Sequence, residues 1–151
     1  MFTQARLFIK TGIGFLAAGL ALGAYMLIER ELAGDWPDRY LVSAHSHLVG
    51  VGFVMFMILG VALWIFPRPP AGDRVYRPEL VVASYWLLTL GTAARFLAEA
   101  ARAYVESPSL GWAVIAGGLA QTFAILLCIA TLWPRIRPVG SHLRERKGER
   151  F

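Results

Sequence analysis

The residues best suited to chemistry are two histidines one residue apart, His45 and His47, in the run Ser43-Ala44-His45-Ser46-His47. They lie just inside a long apolar stretch that ends at Trp64-Ile65-Phe66-Pro67. Ionisable side chains in hydrocarbon are costly, so a pair of them there points to function by default. On an α-helix a separation of two is a rotation of about 200°, so the rings leave from nearly opposite faces and cannot easily chelate one ion together. Each needs its own partner. The small residues Ala44, Ser46, Gly50 and Gly52 would let a bulky group approach the helix. The competing reading is that both histidines are polar residues near a helix end, hydrogen-bonded to neighbouring helices or to interfacial water.

A second constellation is Arg95, Glu99 and Arg102, spaced four and three apart and therefore on one helical face. As a purely structural set it gives an Arg95–Glu99 pair with Arg102 reaching to water. As a functional set, one arginine neutralises an anion held beside the histidines, such as the carboxylate of a cofactor. Gln121 and Thr122 are candidates to line the same interior, although amides and hydroxyls also serve simply to join membrane helices.

The elements that must position these residues are membrane helices. The chain has 151 residues, 57% of them hydrophobic and 17% charged, and the apolar residues come in blocks rather than amphipathic stripes. Four runs, about 7–28, 41–66, 79–104 and 110–133, reach the roughly 18 residues needed to cross a hydrocarbon core. No alternation of the kind a β-barrel requires is present, so the fold class is all-α, an integral membrane four-helix bundle. Residues 1–134 form the four-span domain and 135–151 a basic cytoplasmic tail, whose His142 reads as a surface residue. The first run begins with Arg6 and Lys10 but is longer than a secretory core, and it is expected to be retained.

Arginine and lysine set the orientation. Arg6 and Lys10, then Arg68, Arg74 and Arg77, then Arg135, Arg137, Arg144, Arg146, Lys147 and Arg150 flank one side. The loop near 29–40 has Arg30 and Arg39 against four acidic residues, and the loop near 104–110 has almost no charge. Both termini are therefore expected in the cytoplasm, in a bacterial-type inner membrane. The histidines then lie four to six residues, or roughly 6–9 Å, below the outer end of the second span. Trp36 and Trp112 mark the outer boundary, Trp64 and Trp133 the inner one.

The net charge of +5 is mostly this orientation signal, and no folded basic domain supports a nucleic-acid partner. A P-loop, HExxH and CxxC are absent. Gly12, Gly14, Gly19, Gly23, Gly117 and Gly118 sit inside spans, where close helix packing explains them. Cys128 is the single cysteine, so no internal disulfide forms and it reads as a small packing residue.

Ser43-Ala44-His45-Ser46-His47, followed by Gly52, Gly60 and Trp64-Ile65-Phe66-Pro67, resembles the histidine-bearing tenth transmembrane helix of subunit I of the haem-copper oxidases, over about residues 40–70. By that resemblance His45 matches the ligand of a high-spin haem and His47 a ligand of a low-spin haem on the opposite side of the helix. The Ala-His pair also resembles the second helix of that subunit, which supplies the other low-spin ligand. Family members have about twelve spans in three arcs of four. This chain has four, and it lacks the paired histidines and the tyrosine region of the copper site. A complete oxygen-reducing centre is therefore not expected from one copy, and enzyme activity stays open.

The resemblance implies a membrane haem-b protein built like one four-helix arc. Haem would sit near the outer leaflet on His45 and His47, with Arg95 or Arg102 on its propionates, for electron transfer or work with a diatomic gas. Because the two rings diverge, a homotrimer is expected in which His45 of one protomer and His47 of the next share a haem, with a dimer as runner-up. Two other classes stay open: a non-haem scaffold or assembly factor, and a copper-binding membrane protein, although no Met or Cys stands at the depth of the histidines to soften a copper site.

Overall fold

The computed structural model describes residues 3–66, 77–136 and 148. All regular structure among them is helical, and four helices are long and apolar enough to cross a membrane: α1 (Thr3–Ala33), α2 (Arg39–Ile65), α3 (Pro78–Arg102) and α4 (Pro108–Arg135). Their ends follow from local chemistry. Asp38 caps α2 by accepting a 2.7 Å hydrogen bond from the Tyr40 amide. Pro78 and Pro108 open α3 and α4, where a missing N–H costs nothing. Phe66 turns extended ahead of Pro67, as the residue before a proline must. The first helix runs past the charged stop expected near residue 28. It continues through a π turn, Glu29–Ala33, and ends on Gly34 in the left-handed region, φ +77°, whose N–H bonds back to the Arg30 carbonyl.

Two antiparallel hairpins form, α1 with α2 and α3 with α4, and α2 packs on α3 to join them. Glycines on each partner make the first hairpin tight. A Cβ on Gly60 would stand 3.0 Å from Phe8 Cβ, one on Gly12 3.0 Å from Phe56 Cβ, one on Gly52 2.8 Å from Phe15 Cβ, and one on Gly19 3.0 Å from Val49 Cγ2. Large residues of one helix thus fill the glycine notches of the other along its whole length, as close membrane packing favours. In the second hairpin Gly91 and Gly117 bring the two backbones together. A Cβ on Gly117 would lie 2.9 Å from the Gly91 carbonyl oxygen.

The two ends of the bundle differ in character. At the end nearer the chain termini all four helices feed one apolar cluster, with Phe8, Phe56, Tyr85, Leu88 and Cys128 at its centre. Cys128 is fully buried there, the packing role its position suggested. Arg135, read from sequence as the first residue of a polar tail, is buried at this end, 7% exposed. It donates to the carbonyls of Leu63 (3.1 Å) and Phe66 (2.9 Å), closing the C-terminus of α2. Residues 137–147, including His142, and the arginines Arg68 and Arg74 lie outside the described residues. At the opposite end, between the 34–38 and 103–107 loops, the contacts turn polar.

Candidate functional site

His45 and His47 are held by α2 at this loop end; His47 is the ninth residue of the helix, about 12 Å from its start at 1.5 Å per residue. The helix is α-helical from Arg39 to His47, then widens to π geometry over Leu48–Met55, and returns to α over Phe56–Ile65. A π segment inside an α-helix re-aims the side chains around it and is frequent at functional sites. Nothing in the residue pattern announces this one.

The two rings do diverge. His45 turns to α1, where its Nδ1 lies 2.9 Å from the Gly19 carbonyl and its ring rests in the notch of Gly23, on which a Cβ would stand 2.9 Å from His45 Cε1. A carbonyl can only accept, so Nδ1 carries the proton and in the neutral ring the lone pair is on Nε2. His47 stands seven and four residues from Tyr40 and Ser43, which bond to α3, and so lies on the α2 face toward that helix. No hydrogen bond joins its ring nitrogens to the described residues, and the residue is half-buried. Ser46, between them, faces outward and bonds its own helix at the Val42 carbonyl, 2.8 Å. Of the small neighbours, Gly50 has open space beside it, whereas Gly52 is filled by Phe15.

Tyr40, Ser43 and His47 share the α2 face that meets Arg102, Glu99 and Arg95 on antiparallel α3, and the contacts run rung by rung. Arg102 donates to the Tyr40 hydroxyl at 2.9 Å, and Ser43 Oγ donates to Glu99 Oε1 at 2.9 Å. Arg95 Nε pairs with the same Glu99 oxygen at 3.1 Å, the internal pair that the four-residue spacing allowed. Glu99 is 2% exposed, and its second oxygen, Oε2, has no partner among the described residues. Gln121 extends the network to α4. It donates to Thr92 Oγ1 at 3.1 Å and takes a long 3.5 Å contact from Arg95. Thr122 does not line this interior. It is exposed and bonds back to the Gly118 carbonyl. About three turns of α3, from Thr92 to Arg102, therefore carry a polar strip across three helices. Of its members, sequence reading missed Tyr40, Ser43 and Thr92; their one-dimensional signal is the three-and-four spacing of Tyr40, Ser43 and His47 and of Thr92, Arg95 and Glu99.

These features define a four-helix protein of membrane-spanning dimensions with a polar, histidine-bearing layer at one end. The chain matches no family model, no curated protein and no solved structure. The oxidase resemblance therefore rests on the motif residues alone. Among the described residues no three His, Cys, Asp or Glu side chains converge on a point that could hold a metal ion.

Proposed function

We propose that the chain is an integral membrane haem-b protein in which His45 of one protomer and His47 of another ligate a shared haem. The carrying observation is the divergence of two half-buried imidazoles, each with a ring nitrogen free of hydrogen bonds to the described residues. His45 is oriented through Nδ1 by a backbone carbonyl, the outer-shell contact that commonly fixes a metal-ligating histidine, which leaves Nε2 as the ligand atom. His47 spends neither nitrogen on a hydrogen bond to the described residues. The donor set thus fits a bis-imidazole haem shared between copies, and a homotrimer closes such head-to-tail pairing, with a dimer as the smaller alternative. Arg95, which pairs with Glu99 through one nitrogen, keeps donors to spare for a propionate. Bis-imidazole haem supplies reversible one-electron chemistry and no open coordination site.

In this reading the excess of Arg and Lys beside the chain termini puts both ends in the cytoplasm, and the histidine layer lies in the outer leaflet of a bacterial-type inner membrane. The observation favouring a scaffold or assembly factor instead is the Arg95–Glu99–Gln121–Thr92 network, which serves helix association without any cofactor. A copper site would lack a third convergent protein ligand among the described residues.

The deciding experiment is purification after haem supplementation, with absorption spectra and native mass spectrometry on the wild type, His45→Ala and His47→Ala. A six-coordinate low-spin spectrum in an oligomer, lost in both variants, is the expected result. No Soret band in the wild type, or an unchanged spectrum in either variant, would sink the assignment.

A further inference from the structure

The outermost rung of the polar strip, Tyr40 with Arg102, opens into a second polar site about two helical turns from His47. Arg39 at the start of α2 and Arg102 at the end of α3 both donate to one phenolic oxygen, Tyr40 OH, at 3.1 and 2.9 Å. Both guanidinium carbons also stand over the Tyr40 ring, 4.8 and 4.3 Å from its centroid. The ion pairs among the described residues are Arg30–Glu31 and Arg95–Glu99, so neither arginine has a carboxylate within 4.0 Å. Two like charges are gathered on a neutral oxygen, an arrangement that an oxyanion between them would relieve. With both N–H bonds accepted, the Tyr40 hydroxyl still has its own proton to donate.

These residues open into a cavity of about 860 Å³ that Asp38 and Glu106 also line. One Asp38 oxygen is taken by its capping bond to the Tyr40 amide. The lining thus carries two cations and two anions, with the cations drawn together on Tyr40. Exposed Trp36 and Trp112 flank this end, at the level where aromatic side chains meet lipid headgroups.

We infer that this cavity binds the headgroup of a zwitterionic phospholipid with a primary amine, the ethanolamine class. Arg39, Arg102 and the Tyr40 hydroxyl take the phosphodiester, and Asp38 and Glu106 accept from the ammonium. A bare phosphate or an anionic headgroup would leave both carboxylates facing a negative ligand. A quaternary choline group has no N–H to give them, and the Tyr40 ring that could receive it already carries two guanidiniums. The site needs the loop end to lie at headgroup level but does not need haem.

The test is native mass spectrometry of protein released from bilayers of equimolar phosphatidylethanolamine, phosphatidylcholine and phosphatidylglycerol, with circular dichroism as the check on folding. The wild type should retain phosphatidylethanolamine. Arg102→Gln, and separately the exposed Arg39→Gln, should each lower its retention by about tenfold, the loss of one charge-assisted bond. Asp38→Asn with Glu106→Gln keeps the helix cap and should turn the preference to phosphatidylglycerol. Equal retention of ethanolamine and choline lipids, a wild-type preference for phosphatidylglycerol, or indifference to both arginine changes would each overturn the inference. So would displacement of the lipid on haem loading, which would give these arginines to the haem carboxylates.

Discussion

Gly23→Ala tests whether the His45 ring is seated as described. A Cβ at this position would lie 2.9 Å from Cε1 and 3.2 Å from Nδ1 of His45. Ordinary carbon contacts start near 3.5 Å, so the ring must retreat by roughly 0.5–1 Å. That movement breaks the 2.9 Å bond to the Gly19 carbonyl, worth about 0.5–1.5 kcal/mol, and overpacking adds about 1–3 kcal/mol. Replacing a mid-helix glycine by alanine returns about 0.5–1 kcal/mol, leaving a net loss of roughly 0.5–4 kcal/mol. Gly14→Ala is the matched control. Nothing stands within 4 Å of its added methyl, so only the gain remains and the variant should be slightly more stable than wild type. Unfolding in mild detergent measures both, and the His45→Ala background should remove most of the Gly23→Ala penalty. Equal stability of the two glycine variants, or an undiminished penalty without His45, would refute the seating of the ring against α1.

The Arg95–Glu99 pair, in which the carboxylate is buried and the guanidinium part-exposed, should show coupling. Arg95→Leu, which strands the buried Glu99, is expected to cost about 3–5 kcal/mol and Glu99→Leu less, while the double variant costs well under the sum, and a double-mutant cycle on unfolding free energy reads the difference. Gly117→Ala should destabilise more than Gly23→Ala, because its methyl would meet the Gly91 carbonyl at 2.9 Å and a backbone cannot swing aside as a side chain can; crosslinking yield between α3 and α4 should fall with it.

The helices were legible because each span is a composition signal needing no partner: the second run, about 41–66, is found as Arg39–Ile65, and the third, about 79–104, as Pro78–Arg102. The divergence of His45 and His47 was legible for the same reason, since it follows from helical rotation alone. Features that depend on a neighbouring helix were hidden. Ser43 and Tyr40 look like ordinary residues until Glu99 and Arg102 stand opposite them. Arg135 reads as one more tail charge, and only the carbonyls of Leu63 and Phe66 make it a cap. Gln121 and Thr122 are adjacent and chemically similar, yet one is buried in the network and the other faces outward, a difference of about 100° that depends on where α3 lies.

The α1–α2 interface gives the weightiest reason to regard His45 as more than a polar packing residue. Along it, Gly60 and Gly52 of α2 receive Phe8 and Phe15 of α1, Gly12 and Gly19 of α1 receive Phe56 and Val49 of α2, and Gly23 receives His45. Four of the five knobs are apolar, and a Leu or Phe would fill the last notch without placing a polar ring in a helix–helix seam. The π segment bears on the same seam. Ala44, Leu48, Gly52 and Phe56 are buried at steps of four, which in an unbroken α-helix would drift by about 40° each time. Widening the helix between Leu48 and Met55 reduces the rotation per residue and keeps Leu48, Gly52 and Phe56 against Gly19, Phe15 and Gly12 of α1. Packing alone is satisfied by the four apolar knobs. The imidazole at the fifth, with Nδ1 anchored on a carbonyl, is a choice that packing does not require and that the proposed ligation would.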